Sequence, residues 1–242
     1  MLAFVLDCSA SAAGEVTADP PITIYTEEFP PYNYTGEDGT IQGSAHDVVG
    51  QVMAASGVSY EIRLLPWARA YREAMNDPRG LIFSLARSKV REDQFDWLAL
   101  LAKPEFYLFA RADDNRQVSI AAIKRGDYTA ICEDVDASCT ILEEAGFPRK
   151  RLFNRGTGGR SETTMIEYGR VDFYLADILH HPFRMKALGL GESRTKPVLK
   201  VGEGFSLYLA AGKHVDAEIR HKVGAAYRAL VGGGQLGTPL TN

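Results

Sequence analysis

From Pro21 to Phe83, strand-forming and helix-forming stretches alternate, with mostly short connections between them. PITIYT, Pro21–Thr26, is short and β-branched, as a strand requires. The stretch EEFPPYNYTGEDGTIQG carries prolines, Gly36 and the pair Asp38-Gly39, and reads as a loop with a hairpin-like turn. Ser44–Gly57 sets Val48, Val49, Val52 and Met53 among helix-forming alanines, and Gly57 suits the position just past a helix end. Val58–Leu65 is again rich in β-formers. Pro66 opens the helix WARAYREAMND at the first-turn position proline prefers. Gly80 then leads into Leu81–Phe83, a short apolar run. Strand, helix, strand, helix, strand in this order is the pattern of a doubly wound parallel sheet.

A second set follows. Strands are expected at Pro104–Arg111, Tyr128–Cys132, Arg149–Phe153, Val171–Ala176, Pro197–Val201 and Phe205–Ala210. Helices are expected at Val118–Arg125, Ala137–Ala145, Ser161–Tyr168, Ile178–Leu188 and Val215–Val231. Pro182 should kink or restart the helix it falls in. The 242 residues suffice for one large domain or two lobes. A net charge of -4 argues against a nucleic-acid partner, which would want a basic face. No apolar run reaches the length that spans a bilayer.

The first residues, MLAFVLDCSASAAGEV, read as an incomplete signal peptide: an apolar run and an A-x-A-like segment, without the basic n-region and with Asp7 interrupting. Residues 1–19 are therefore set apart from the fold, and export to the periplasm is expected. With that segment removed, Cys132 and Cys139 remain as an even pair, close in sequence. In an oxidising compartment they could pair. As separate buried thiols they would instead act as small hydrophobes.

The chemistry concentrates in LIFSLARSKVREDQFDW, Leu81–Trp97. A buried strand gives way to hydroxyls at Ser84 and Ser88 and to donor forks at Arg87 and Arg91, and the apolar pattern resumes at Phe95 and Trp97. Ligands of open α/β sheets bind outside the carboxyl ends of the strands. Arginine there suits a carboxylate, because its planar fork makes two parallel charge-assisted bonds. Other chemistries lack support. RGTGGR does not have phosphate-loop spacing, no G-x-S-x-G frames a nucleophile, and His180 and His181 are adjacent and so diverge on a helix.

This pattern resembles the bacterial extracellular solute-binding proteins of family 3, the polar amino-acid receptors of ABC transporters. The resemblance rests on SLARSKVRED followed by QFDW, on Phe29-Pro30-Pro31-Tyr32 after the first strand, on Asp47 in GSAHDV, and on GRVDFYLAD at Gly169–Asp177. It implies a two-lobe, type II periplasmic-binding-protein-like α/β fold. Each lobe is then a mostly parallel sheet flanked by helices, and a two-strand hinge joins them. Residues 20–103 plus 200–242 would form one lobe and 104–199 the other. It implies that Arg91 clamps a ligand carboxylate, that Asp177 meets an ammonium, and that Phe29, Tyr32, Ser84 and Arg87 lie about the ligand. The expected partners are the small polar ligand and an ABC permease in the inner membrane. The protein is expected to be a monomer with no cofactor and no metal.

Two departures stand out. Where the family has a Gly-Thr or Gly-Ser pair that binds the carboxylate, this chain has Glu133-Asp134, and Ala86 replaces a second hydroxyl near Arg91. Acids there repel a carboxylate. Either the contact is lost, or a cationic ligand such as a basic amino acid or an amine is preferred, or the ligand is not an amino acid. Two further classes stay open: an enzyme on this scaffold, resembling cyclohexadienyl dehydratases with Glu133 or Asp134 as the acid, and a sensor domain of a signalling system.

Overall fold

The computed structural model describes residues 20–133, 136–154, 164–201, 205–236 and 240–241. The signal-peptide reading, Asp134, RGTGGR and the start of the helix expected from Ser161 lie outside these residues.

The first sheet is built on β1 (Ile22–Thr26), which pairs in parallel with β4 (Tyr60–Leu64) on one side and β5 (Gly80–Ala86) on the other. A two-stranded ribbon, β2 (Tyr34–Thr35) and β3 (Ile41–Gln42), lies in the loop between β1 and α1 (Ser44–Ser56). Ile22 and Ile24 are fully buried because helices cover both sheet faces. On one face, Val49, Val52 and Met53 of α1 share a core with Val223 and Ala226 of the last helix. On the other, α2 (Trp67–Asn76) buries Trp67, Ala70 and Ala74, a single helical stripe, against Tyr25, Ile82 and Leu85. Pro66 stands just before α2, at its N-cap.

The structure adds a strand that the sequence pattern did not mark, β6 (Phe95–Lys103, FDWLALLAK). It lies between two other strands and is covered for most of its length. Its apolar residues therefore run together rather than alternate, and no period reveals them.

The chain then crosses through Pro104 and Glu105 to a second sheet. Its strands are β7 (Phe106–Arg111), β8 (Ala130–Cys132), β9 (Leu152–Asn154), β10 (Phe173–Asp177) and β11 (Thr195–Val201), in the order β11-β7-β10-β8-β9. Its helices include α3 (Ile120–Arg125), α4 (Ser138–Glu144) and α5 (His180–Ala187), and residues 164–167, within the helix expected from Ser161, are helical. Pro182 falls in the first turn of α5, where backbone N–H groups have no intrahelical partner, so it neither kinks nor restarts the helix. The chain returns through β12 (Leu207–Gly212) and α6 (Ala217–Gly232), and β13 (Leu240–Thr241) completes the first sheet in the order β13-β6-β12-β5-β1-β4.

Both sheets are mixed; in the first, three of the five pairings are parallel. β12 is antiparallel to β5 and β6, and β7 is antiparallel to β10 and β11. β7 and β12 each enter their sheet from the crossover side, and so run antiparallel to the neighbouring strands β10 and β5 that end there. Cys132 and Cys139 form a disulfide with Cα atoms 4.9 Å apart, tying the end of β8 to α4. Closing so short a loop contributes about 2.5 kcal/mol in the chain-entropy model.

Candidate functional site

A cavity of about 200 Å³ lies between the two sheets. β1 and β5 of the first sheet and β8 and β10 of the second end toward it, as the strand-end rule requires. A hollow of about 290 Å³ on the outside of the first lobe, near Pro20, Arg79 and Lys222, draws on that lobe alone.

The first lobe's wall is held by a buried polar chain. Ser84 has φ 58°, a left-handed conformation rare outside glycine, within a strand whose seven residues are all buried. The register against β12 shifts between Tyr208 and Ala210, so β5 bulges where Ser84 sits. The expected strand end at Phe83 is thus a kink, and Ser84 stays in the strand. Its hydroxyl donates to Asn33 Oδ1. Asn33 Nδ2 donates to Thr26 Oγ1 at 3.0 Å and to the Glu27 carbonyl at 2.6 Å, and the Thr26 hydroxyl donates to the Phe83 carbonyl at 3.2 Å. The tips of β1 and β5 are therefore locked together. Strain of this kind gathers at ligand sites.

Arg91 reaches the same wall. It is 6% exposed, donates from Nη1 to the Ala86 carbonyl at 3.1 Å, and lies 5.3 Å from the Tyr71 ring and 6.0 Å from the Trp67 ring. Burial weakens its hold on the proton, while the field of Asp136 strengthens it. Arg87, four residues earlier, does not line the cavity. It pairs with Glu92, Nε to Oε2 at 2.9 Å, and lies over Trp97 and Tyr208 at 5.4 and 5.5 Å. Expected beside the ligand, it here faces Glu92, Trp97 and Tyr208.

Asp177, the last residue of β10, is 1% exposed. Its Oδ1 accepts from the Tyr32 hydroxyl at 3.2 Å and from the N–H groups of Leu179 and His180 at 3.1 and 2.9 Å. Its Oδ2 accepts from the Glu105 N–H at 3.0 Å. Asp177 lines the cavity, yet it also starts α5, fixes the hinge and ties the lobes. Tyr32 is fully buried, and burial followed by the Asp177 charge holds its hydroxyl protonated well above the usual range. Gly43 makes room for that loop: a Cβ there would lie 2.4 Å from the Tyr32 carbonyl oxygen. The Phe29 ring is 5.0 Å from Tyr32 and 4.6 Å from the His180 ring across the cleft. His180 Nδ1–H donates to the Pro30 carbonyl at 2.7 Å, and burial lowers its pKa. His181 turns inward instead, 4.0 Å from Phe109 and hydrogen-bonded to Tyr174.

Of the two acids expected on the wall, Asp134 lies outside the described residues. Glu133 does not line the cavity; its N–H donates to Ser138 Oγ at 2.9 Å, and its charge acts on Arg184. The wall carries Glu27, next after β1, and Asp136, which accepts from the Ser138 N–H at 2.5 Å at the start of α4. Glu27 is pushed up to about 8 by burial, then by Asp136 and Glu133, with Arg184 opposing. Burial also raises Asp136, against the pull of the Ser138 hydrogen bonds, Arg91 and Arg184. Glu27, Asp136 and Arg184 were not singled out from the sequence. The one signal available was Glu27's place at the carboxyl end of the first strand. Two acids and two guanidinium groups, divided between the lobes, can thus hold a small ligand carrying both signs of charge.

The model of the bacterial extracellular solute-binding proteins, family 3, matches residues 22–198. Among solved structures, a histidine kinase sensor domain with similarity to periplasmic binding proteins superposes with TM-score 0.72 at 16% identity, covering 89% of this chain and 92% of that one. The arginine-, lysine-, histidine-binding protein of Geobacillus stearothermophilus gives 0.67 at 15%, covering 89% and 91%. A putative L-cystine ABC transporter protein of Listeria monocytogenes gives 0.65 at 16%, covering 89% and 92%. At these identities the likeness is one of fold. No curated protein matches the sequence.

Proposed function

This chain belongs to the bacterial extracellular solute-binding proteins, family 3, and on that premise we propose that it is a periplasmic receptor for a small amino-acid-like or amine ligand. The observation that carries the reading is the convergence of Arg91 and Glu27 from one lobe with Asp136 and Arg184 from the other on one cavity of about 200 Å³. That volume is below the range of drug-sized pockets and suits a small metabolite. Arg91 receives the ligand's carboxylate, where there is one. Glu27 and Asp136 receive its ammonium or guanidinium, taking over the role expected of Asp177, whose oxygens already meet four donors. The ligand enters the open cleft and hinge closure completes the site. The domains are residues 20–103 with 200–242, and 104–199. The monomer delivers its ligand to an ABC permease. A second reading, a sensor domain that reports to a kinase, draws support from the histidine kinase sensor domain that shares the fold. The genes beside its own separate the two.

A thermal-shift screen over amino acids, amines and small acids tests the binding claim. A true ligand at a hundredfold excess over Kd contributes about 2.7 kcal/mol, and raises the Tm by roughly 5–10 °C. A flat response across the amino acids and amines removes the amino-acid-like reading.

A further inference from the structure

Glu27 differs from the other charged groups of the cleft. Its side chain is partly buried on the cavity wall. Among the described residues, no hydrogen-bond donor meets its carboxyl. Three of the charges that act on it, Glu133, Asp136 and Arg184, belong to the second lobe. The other charged or titratable groups on the wall are Arg91 and Glu28 of the first lobe and Asp177 and His180 of the second. Opening the lobes would carry both repelling carboxylates away from Glu27 and let water reach it. Closing them leaves that carboxyl facing two acids and one guanidinium.

We propose that Glu27 is a proton-exchange position: the closed, empty cleft holds a proton on its carboxyl, and the cationic group of a captured solute takes that proton's place. The proposal rests on reading the cleft as the ligand site. The exchange balances as one proton released to solvent for one cationic group bound, with the carboxyl becoming carboxylate.

The sign follows from linkage. The closed state raises the Glu27 pKa to about 8, and the open state returns it toward its ordinary value. Closure of the empty cleft is therefore unhindered below the ordinary carboxylate range and is lost as pH rises through about 8. Asp136 has the same sign. His180 has the opposite one: buried as a neutral ring against the Pro30 carbonyl, it resists closure once acid charges it. The window above about pH 6.5 therefore isolates the carboxyls.

Small-angle scattering of the ligand-free protein between about pH 6.5 and 9 reads closure directly. The radius of gyration should rise with pH across this range in the wild type and stay flat in Glu27→Gln, which mimics the protonated group. Asp136→Asn, which removes one repelling carboxylate, should make that rise smaller. A flat wild-type profile, or one unchanged by Glu27→Gln, overturns the proposal while leaving the receptor reading intact. The second arm is calorimetry with L-arginine and with 1,4-diaminobutane in buffers of different ionisation enthalpy. Binding should release protons at pH 7, and Glu27→Gln should reduce that release. Binding without proton release overturns the exchange alone. Failure of both probes to bind, with closure still titrating through Glu27, overturns the cationic-solute half and the amine reading together.

Discussion

Replacing Asp177 with alanine should lower the stability of the ligand-free protein by about 3–5 kcal/mol, since each buried donor left without its acceptor costs about 1–3 kcal/mol. Three backbone N–H groups and the Tyr32 hydroxyl lose their acceptor together. None is easily compensated by water, because Asp177 is 1% exposed and Tyr32 fully buried. The loss is a large part of the stability a domain of ordinary size possesses. Asp177→Asn keeps one acceptor oxygen but turns an NH₂ toward one of the donors, and should cost about 1–3 kcal/mol. Urea melts of the two variants beside the parent provide the check. A cost under about 1 kcal/mol for Asp177→Ala, with ligand affinity lost, would return Asp177 to the role of ammonium partner.

Arg91→Ala should weaken a carboxylate-bearing ligand by about 2–5 kcal/mol, roughly thirtyfold to several thousandfold in Kd. Arg91→Lys should not restore it, because an ammonium lacks the bidentate fork and stacks less well between Tyr71 and Trp67. Arg87→Ala should change affinity by no more than about 0.5 kcal/mol, since its partner Glu92 is exposed and the pair lies off the cavity. Calorimetric titration with the strongest binder of the thermal screen measures all three. If Arg87→Ala loses binding while Arg91→Ala keeps it, the assignment through LARSKVRED is reversed. If neither matters, the ligand is held without a carboxylate, through the acids.

What the sequence made legible follows from what is local. The run from β1 to the start of β5 could be read because apolar period, Gly57, Pro66 and Gly80 mark each element within a few residues. Phe95–Lys103 could not, because a strand covered on both faces has no alternation. Of two arginines four residues apart, both fit the same loop pattern. The turn closed by the Arg91 N–H on the Ser88 carbonyl at 3.0 Å brings Arg91 inward and leaves Arg87 to Glu92. Asp177 was visible as a carboxylate at a strand end, and both of its readings fit that position. Only the geometry counts four donors on it. Asp136 and Arg184 have no local signature, and Glu27 has only its place at the carboxyl end of the first strand, since their burial arises when one lobe approaches the other. The Glu133-Asp134 departure pointed to acids in the right connection, but of the described residues there it is Asp136 that lines the cavity.

The most direct measurement of where the ligand binds is amide chemical-shift mapping of the protein titrated with the strongest binder of the thermal screen. The largest changes are expected on both lobes at once, at Glu27 and Arg91 from the first and at Asp136, His180 and Arg184 from the second. Changes confined to the outer hollow around Pro20, Arg79 and Lys222, or to one lobe alone, would contradict capture in the cleft.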